Sequence, residues 1–299
     1  MRRRLTPLLL LAVLAALGGC GAGPGTPFSA SERSHVAVIV MENKEAPDVL
    51  GARDSYLARL ARRYAVAIRS YGVTHPSLPN YLALTSGSTH GITSDCTSCQ
   101  VDARNLADQL EHAGISWKAY LQDMPSPCYL GAAHAGYAKK HNPFAYYRDV
   151  ADNARRCRRM VPFTQLAGDL RTGALPTFVW ISPNLCDDTH DCPVATGDRF
   201  LRRTVPPLLR AVGPHGYVVV TWDEGTTDAG CCGGARGGRI ATVVAGPEVR
   251  RGAQLRDPLD HYGTLRTIED SLGLPHLGAA ADARHGSLQS AFTQPPRVP

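Results

Sequence analysis

Two apolar runs, far apart in the chain, each end in oxygen-bearing side chains. HVAVIVMEN, residues 35–43, releases Glu42 and Asn43, and GYVVVTWDEG, residues 216–225, releases Asp223 and Glu224. Open α/β sheets bind ligands beyond the carboxyl ends of their strands, and clustered carboxylate and amide oxygens hold hard divalent cations. Either pair alone reads as a polar turn leaving a strand; two pairs after long buried strands read as one metal site. HPSLPNYLALTSG, residues 75–87, adds a nucleophile, because Ser77 stands at a helix start marked by Pro79. A helix start gathers negative charge through its dipole and free amides. A metal touching the hydroxyl would lower its pKa and bridge to a phosphoryl group, so attack on phosphorus is the implied chemistry. An arbitrary serine in that place is a helix cap. His75 and Asn80 bring an imidazole and an amide to the same anion and turn the reading toward substrate contact.

The loop PNLCDDTHD, residues 183–191, packs Asp187, Asp188, His190 and Asp191 behind the strand TFVWIS. Solvation of a charged loop does not call for a histidine among carboxylates. His190 can give a proton to a leaving alcohol, or join Asp188 or Asp191 at a second metal position. His261, in DHYG at the start of the last helix, is by itself a helix-terminal histidine.

These groups must be held by a sheet. Helical spacing over residues 53–64, 105–113, 163–171 and 261–272 alternates with apolar runs at 65–71, 116–121, 177–182, 217–222 and 239–245. A helix over 199–212 is expected to break at Pro206-Pro207. The alternation predicts an α/β fold, a largely parallel central sheet covered by helices on both faces. Residues 123–162, rich in Tyr, His and Arg without period, read as an irregular insertion near the site, and 279–299 as a loose tail.

Arg2, Arg3 and Arg4 precede an apolar run from Leu8 to Leu17, too short to span a bilayer. This predicts a signal over 1–19. Leu17-Gly18-Gly19-Cys20 resembles a lipobox, so Cys20 is either a lipidation site or incidental, followed by a flexible linker to residue 34 and a catalytic domain over 35–278. The product is then exported, as a cell-surface lipoprotein or a secreted protein, with membrane contact only through a lipid anchor at Cys20. The formal charge of +6 includes the three leader arginines, leaving +3 with basic residues scattered along the sequence, so nucleic-acid binding is not indicated. Eight further cysteines in an exported chain are disulfide formers; Cys96-x-x-Cys99 could suit zinc or redox chemistry, but the sequence has no second such pair and the expected compartment is oxidising.

The five motifs at residues 35–43, 75–87, 182–191, 218–225 and 260–275 occur in an order that resembles the bacterial phosphoesterase family of acid phosphatases and phospholipases C, most of all its small secreted acid phosphatases. The resemblance covers roughly residues 35–277. It implies an alkaline-phosphatase-like fold and a metal-dependent acid phosphatase acting on small-molecule or lipid phosphate esters through a phosphoseryl intermediate. On this sequence Glu42, Asn43, Asp223 and Glu224 resemble the metal ligands. Ser77 matches the nucleophile, with His90-Gly91-Ile92 following as in related phosphodiesterases and Thr85 and Ser86 as alternatives. His75, Asn80, Asp188, His190 and His261 would contact phosphate or leaving group. Cys186 and Cys192, which the family does not account for, are expected to pair. The competing readings are a phospholipase C or phosphodiesterase, and a non-catalytic surface lipoprotein binding phosphate or metal.

Overall fold

The computed structural model describes residues 34–298. The expected signal, Cys20 and the linker up to residue 33 lie outside the described residues. Strands β1 (Val36–Met41), β2 (Ala65–Tyr71), β3 (Trp117–Leu121), β6 (Met160–Pro162), β7 (Phe178–Ser182), β8 (Tyr217–Trp222), β9 (Arg239–Ala245), β10 (Ala253–Leu255) and β11 (Leu259–Asp260) form one sheet; β4 (Ala133–His134) and β5 (Tyr137–Ala138) form a small hairpin. The sheet order is β10-β2-β9-β8-β1-β7-β3-β6, with β11 also on β2. All pairings in it are parallel except those of β9 with β8 and with β2. Every residue of β1, β7 and β8 is buried, which is why their sequences are apolar on both faces.

Alternate side chains of β1 enter two cores. Val36, Val38 and Val40 pack with Leu78, Leu82, Leu106 and Leu265, from helices α3 (Ser77–Ser86), α4 (Leu106–His112) and α9 (His261–Ser271). Ala37, Ile39 and Met41 pack with Val49, Leu57, Leu166 and Leu201, from α1 (Ala46–Leu50), α2 (Tyr56–Arg63), α7 (Gln165–Thr172) and α8 (Val194–Ala211). The expected covering of both faces is met.

Three expectations over the chain need correction. Helix α8 runs unbroken through Pro206 and Pro207. Prolines remove two N–H donors, and the carbonyls four residues earlier belong to Arg202 and Arg203, which are exposed, so water can satisfy them. Residues 123–162 are more ordered than expected, with the β4–β5 hairpin, the short helices α5 (Arg148–Ala151) and α6 (Ala154–Cys157), and β6 on the sheet edge. The end of the chain is no loose tail. Leu288 and Ala291 are fully buried, Leu288 N–H donates to Thr267 Oγ1 at 2.8 Å, and Val298 N–H donates to the Ser271 carbonyl at 2.7 Å. Sequence periodicity could not show this, since the segment uses single 3-10 turns rather than a long element. Leu288→Ala should therefore destabilise the fold by about 2–4 kcal/mol, read as a lowered denaturation midpoint; a shift within error would return this segment to the surface.

Register decides what meets at the sheet edge. Met41 lies opposite Trp222 and Ile39 opposite Ile181, so β1, β7 and β8 end together and release Glu42, the 183–192 loop and Asp223 side by side.

Candidate active site

Glu42 is the centre of the arrangement and is wholly buried. Its Oε2 accepts from Ser77 Oγ at 3.0 Å, and its Oε1 accepts from Tyr81 O–H at 2.9 Å. Ser77 Oγ also lies 3.4 Å from Glu224 Oε1. Asn43 takes a left-handed backbone at φ 54, which asparagine tolerates, and donates its N–H to Asp223 Oδ1 at 3.1 Å. Glu42, Ser77, Asp223 and Glu224, from two strand ends and one helix, are thus brought together, with the Asn43 backbone joining them. Thr85 and Ser86 are not: their hydroxyls lie within α3 and donate to the carbonyls of Tyr81 and Leu82.

Helix α3 begins at Ser77, as the sequence predicts, but its surroundings differ from the expectation. Asp95 Oδ1 takes the N–H of Leu78 at 2.9 Å, and Pro79 has none. The helix start therefore does not offer a row of free amides. Asn80 is also differently employed. Its Oδ1 accepts from Val73 and Thr74 N–H, and its Nδ2 donates to the carbonyls of Thr74 and Pro76. Rather than facing a ligand, Asn80 folds the loop before Ser77 onto the helix, with a cis peptide bond between His75 and Pro76. His75 stands as expected beside the site, with Nδ1 2.6 Å from Glu224 Oε2 and Nε2 3.1 Å from the Thr227 carbonyl.

The acidic loop is fastened to β1. The Asp188 carbonyl accepts from Glu42 N–H at 2.8 Å, and Thr189 Oγ1 donates to the Glu42 carbonyl at 2.7 Å. Thr189 holds φ 83, a costly value for a β-branched residue. Gly197 makes room for it, since a Cβ there would stand 2.4 Å from Thr189 Cγ2. Cys186 and Cys192 are joined across this loop, as expected. Asp188 is buried, whereas His190 is partly exposed, with Nδ1 2.6 Å from Asp191 Oδ1. Asp187 faces away from Ser77, accepting from Gln122 Nε2 at 2.8 Å.

Sequence reasoning missed His141, Lys140 and Asp95. His141, almost fully buried, sits between two carboxylates, Nε2 2.9 Å from Glu42 Oε1 and Nδ1 3.2 Å from Asp188 Oδ2. Burial alone would lower its pKa; the charges and hydrogen-bonding capacity of Glu42 and Asp188 outweigh that and raise it to about 9. Glu42 is the other half: burial raises it, and His141 and Lys140 bring it down to about 2. Asp223 moves the opposite way, pushed well up by burial and by the charges of Glu42 and Glu224, while burial and Glu42 outweigh His75 in raising Glu224 to about 7. The only sequence signal for His141 was an imidazole within an aperiodic, aromatic-rich stretch.

His261 is fully buried, and its Nε2 contacts the Asp223 carbonyl. A carbonyl only accepts, so Nε2 carries the proton and Nδ1 presents a lone pair; burial lowers its pKa to about 4 and keeps it neutral. His261 Nδ1 and three further buried atoms around Glu42 make no directional hydrogen bond among the described residues: His141 Nε2, Asp188 Oδ2 and Asp223 Oδ2. The His141 contacts are thus close enough for charge pairing but poorly aligned. Asp223 Oδ2, an orphaned buried acceptor next to mutually repelling carboxylates, is what a cation would satisfy. Glu42, Asn43, Ser77, Asp223 and Glu224 are the residues that could hold it. Elsewhere Cys231, Cys232 and Asp260 bring ligand-type atoms within 4.8 Å, but the two sulfurs are joined to each other, as are the pairs Cys96–Cys99 and Cys128–Cys157.

The family model described as Phosphoesterase family matches residues 51–275. A phosphatidylinositol-3-phosphatase of Mycobacterium tuberculosis is 31% identical over 287 residues, covering 92% of this chain and 91% of that one. A phosphate-repressible acid phosphatase of Penicillium chrysogenum is 30% identical, over 76% of this chain but only 56% of its own length. A phospholipase C B of M. tuberculosis is 26% identical, over 63% and 43%. Among solved structures, murine ectonucleotide pyrophosphatase/phosphodiesterase 5 superposes with a TM-score of 0.55 at 12% identity, covering 87% of this chain and 100% of that one. An alkaline phosphatase superfamily protein from Vibrio parahaemolyticus gives 0.53 at 12%, over 80% and 66%. At such identities the two structures speak for the fold alone.

Proposed function

Because the chain belongs to the phosphoesterase family and is a phosphoric ester hydrolase, we propose that it is an exported acid phosphatase that cleaves phosphate monoesters by attack of Ser77, with a divalent cation held by Glu42, Asn43, Asp223 and Glu224. One observation carries this: a buried serine hydroxyl at a helix start lies between two carboxylates, 3.0 Å from Glu42 and 3.4 Å from Glu224. A bound cation would lower the pKa of the hydroxyl and neutralise phosphoryl oxygens. Ser77 Oγ passes its proton to a carboxylate it already contacts, Glu42 or Glu224, as it bonds to phosphorus, and the ester oxygen leaves; water then gives its oxygen to phosphorus and the hydroxyl proton returns to Ser77 Oγ. His190 gives the leaving oxygen its proton in this scheme. Its Nε2 lies 3.4 Å from Lys140 Nζ and its Nδ1 2.6 Å from Asp191 Oδ1. His141 lies between the Glu42 and Asp188 carboxylates, and His261 contacts the Asp223 backbone carbonyl.

Export is part of the same proposal. Its support is the basic and apolar leader together with four disulfides, which persist in oxidising compartments. Among the described residues no helix is long and apolar enough to cross a membrane.

The test is hydrolysis of p-nitrophenyl phosphate by the purified protein over an acidic to alkaline series, before and after chelation. Activity with an acidic optimum, lost on chelation and restored by a divalent cation, is the expected result. Cleavage of bis-(p-nitrophenyl) phosphate in preference to the monoester would make the protein a phosphodiesterase or phospholipase C instead. Tight stoichiometric phosphate binding without turnover would leave a binding protein.

A further inference from the structure

The first turn of the helix that carries Ser77 offers few of the donors that usually receive an anion there, its own Ser77 amide and little else. The Leu78 amide is taken by Asp95, Pro79 has no N–H, and the Asn80 side chain is bonded to its own loop. His75 and His141 each face carboxylates and are committed to them. A phosphoryl group arriving at Ser77 therefore needs a positive partner from another element.

Lys140 is placed to be that partner. Its Nζ lies 3.0 Å from Asp95 Oδ2 and 3.4 Å from His190 Nε2, and its side chain is 19% exposed. Its charge is felt by both Glu42 and Asp223. The backbone beneath it is a single 3-10 turn, Lys139–His141, fastened at both neighbours. Lys139 Nζ donates to the Thr97 carbonyl at 2.8 Å, and His141 is wedged between Glu42 and Asp188. Only the middle side chain of the three is turned to the start of the Ser77 helix, where Asp95 accepts from both Lys140 Nζ and Leu78 N–H. An ammonium carries three donors, so one can stay on Asp95 while others reach a phosphoryl oxygen.

We propose that Lys140 binds the non-bridging oxygens of the substrate phosphoryl group, supplying the positive charge that the first turn of the Ser77 helix does not. The proposal rests on the phosphatase reading above.

The experiment is calorimetric titration of inorganic phosphate into wild-type, Lys140→Gln, Lys140→Arg and Lys139→Gln proteins of equal measured divalent-metal content, with p-nitrophenyl phosphate kinetics alongside. Lys140→Gln should weaken phosphate binding about 10-fold or more and raise KM, as loss of a charge-assisted hydrogen bond does. Lys140→Arg should recover most of the affinity, and Lys139→Gln should stay within about twofold of wild type, because both lysines share one turn but only Lys140 meets the ligand. Equal losses in Lys139→Gln and Lys140→Gln would reduce the effect to folding of the turn and overturn the proposal, as would wild-type affinity in Lys140→Gln or no phosphate binding by the wild type. A wild type that binds phosphate through Lys140 yet turns over no ester would sink the phosphatase reading and keep this one; turnover with unchanged phosphate affinity in Lys140→Gln does the reverse.

Discussion

Ser77→Ala is expected to lower turnover of p-nitrophenyl phosphate by on the order of 10⁴-fold or more, since it removes the group that bonds to phosphorus. The variant should fold as the wild type does. Asp95 would still accept from Leu78 N–H, and Asn80 would still hold the loop ahead of the helix. Four other oxygen-bearing side chains remain, so bound metal, measured by elemental analysis, should fall only modestly. The direct check is an acid quench during turnover of a phosphorus-labelled ester. Label should stay on the wild-type protein at the peptide containing Ser77 and be absent from the variant. Near wild-type turnover in the variant, with unchanged metal, would remove Ser77 as the nucleophile and leave direct attack by water.

Asp223→Asn should separate stability from function. Asp223 is fully buried against Glu42, with one oxygen on the Asn43 amide and the other without a partner. Burial and the charge of Glu42 push its pKa well up, so in the metal-free protein its ionised form opposes folding. A carboxyl raised in this way favours the fold at pH below the titration and loses that contribution as pH rises through it. Asparagine keeps an acceptor for Asn43 and adds a donor toward Glu42. In chelator near neutral pH the variant should therefore be more stable than wild type by about 1–2 kcal/mol, raising Tm by roughly 2–8 °C. The same change removes a charged ligand, so cation binding and turnover should collapse. Thermal melts of both proteins with and without divalent metal decide it. A variant that melts below wild type in chelator would show that the carboxylates do not repel as described, and one that retains metal and turnover would remove Asp223 from the ligand set.

Most of the element order was legible because it is written in local pattern. The apolar runs at Val36–Met41 and Tyr217–Trp222 became strands buried on both faces, and Ser77 did open a helix. Failures came where tertiary context overrides local preference. Pro206 and Pro207 stay helical because the carbonyls they leave unbonded belong to exposed arginines, and the last twenty residues are held by isolated buried side chains that make no period.

The site divides in the same way. Which residue types stand at strand ends and helix starts is a local property, and it named Glu42, Asn43, Ser77, Asp223 and Glu224 without any structure. Whether they meet is a matter of register, and only the sheet decided it, by setting Met41 against Trp222 so that Glu42 and Asp223 leave neighbouring strands together. The sequence could not say that Asn80 serves its own loop or that Asp95 closes the helix start, since hydrogen-bond partners depend on direction as well as identity. Nor could it find His141 and Lys140, which come from a stretch without periodicity and acquire their meaning from burial beside Glu42 and proximity to Asp95 and His190. Charge and desolvation act through space, and distances in space between residues a hundred positions apart exist only once the chain has folded.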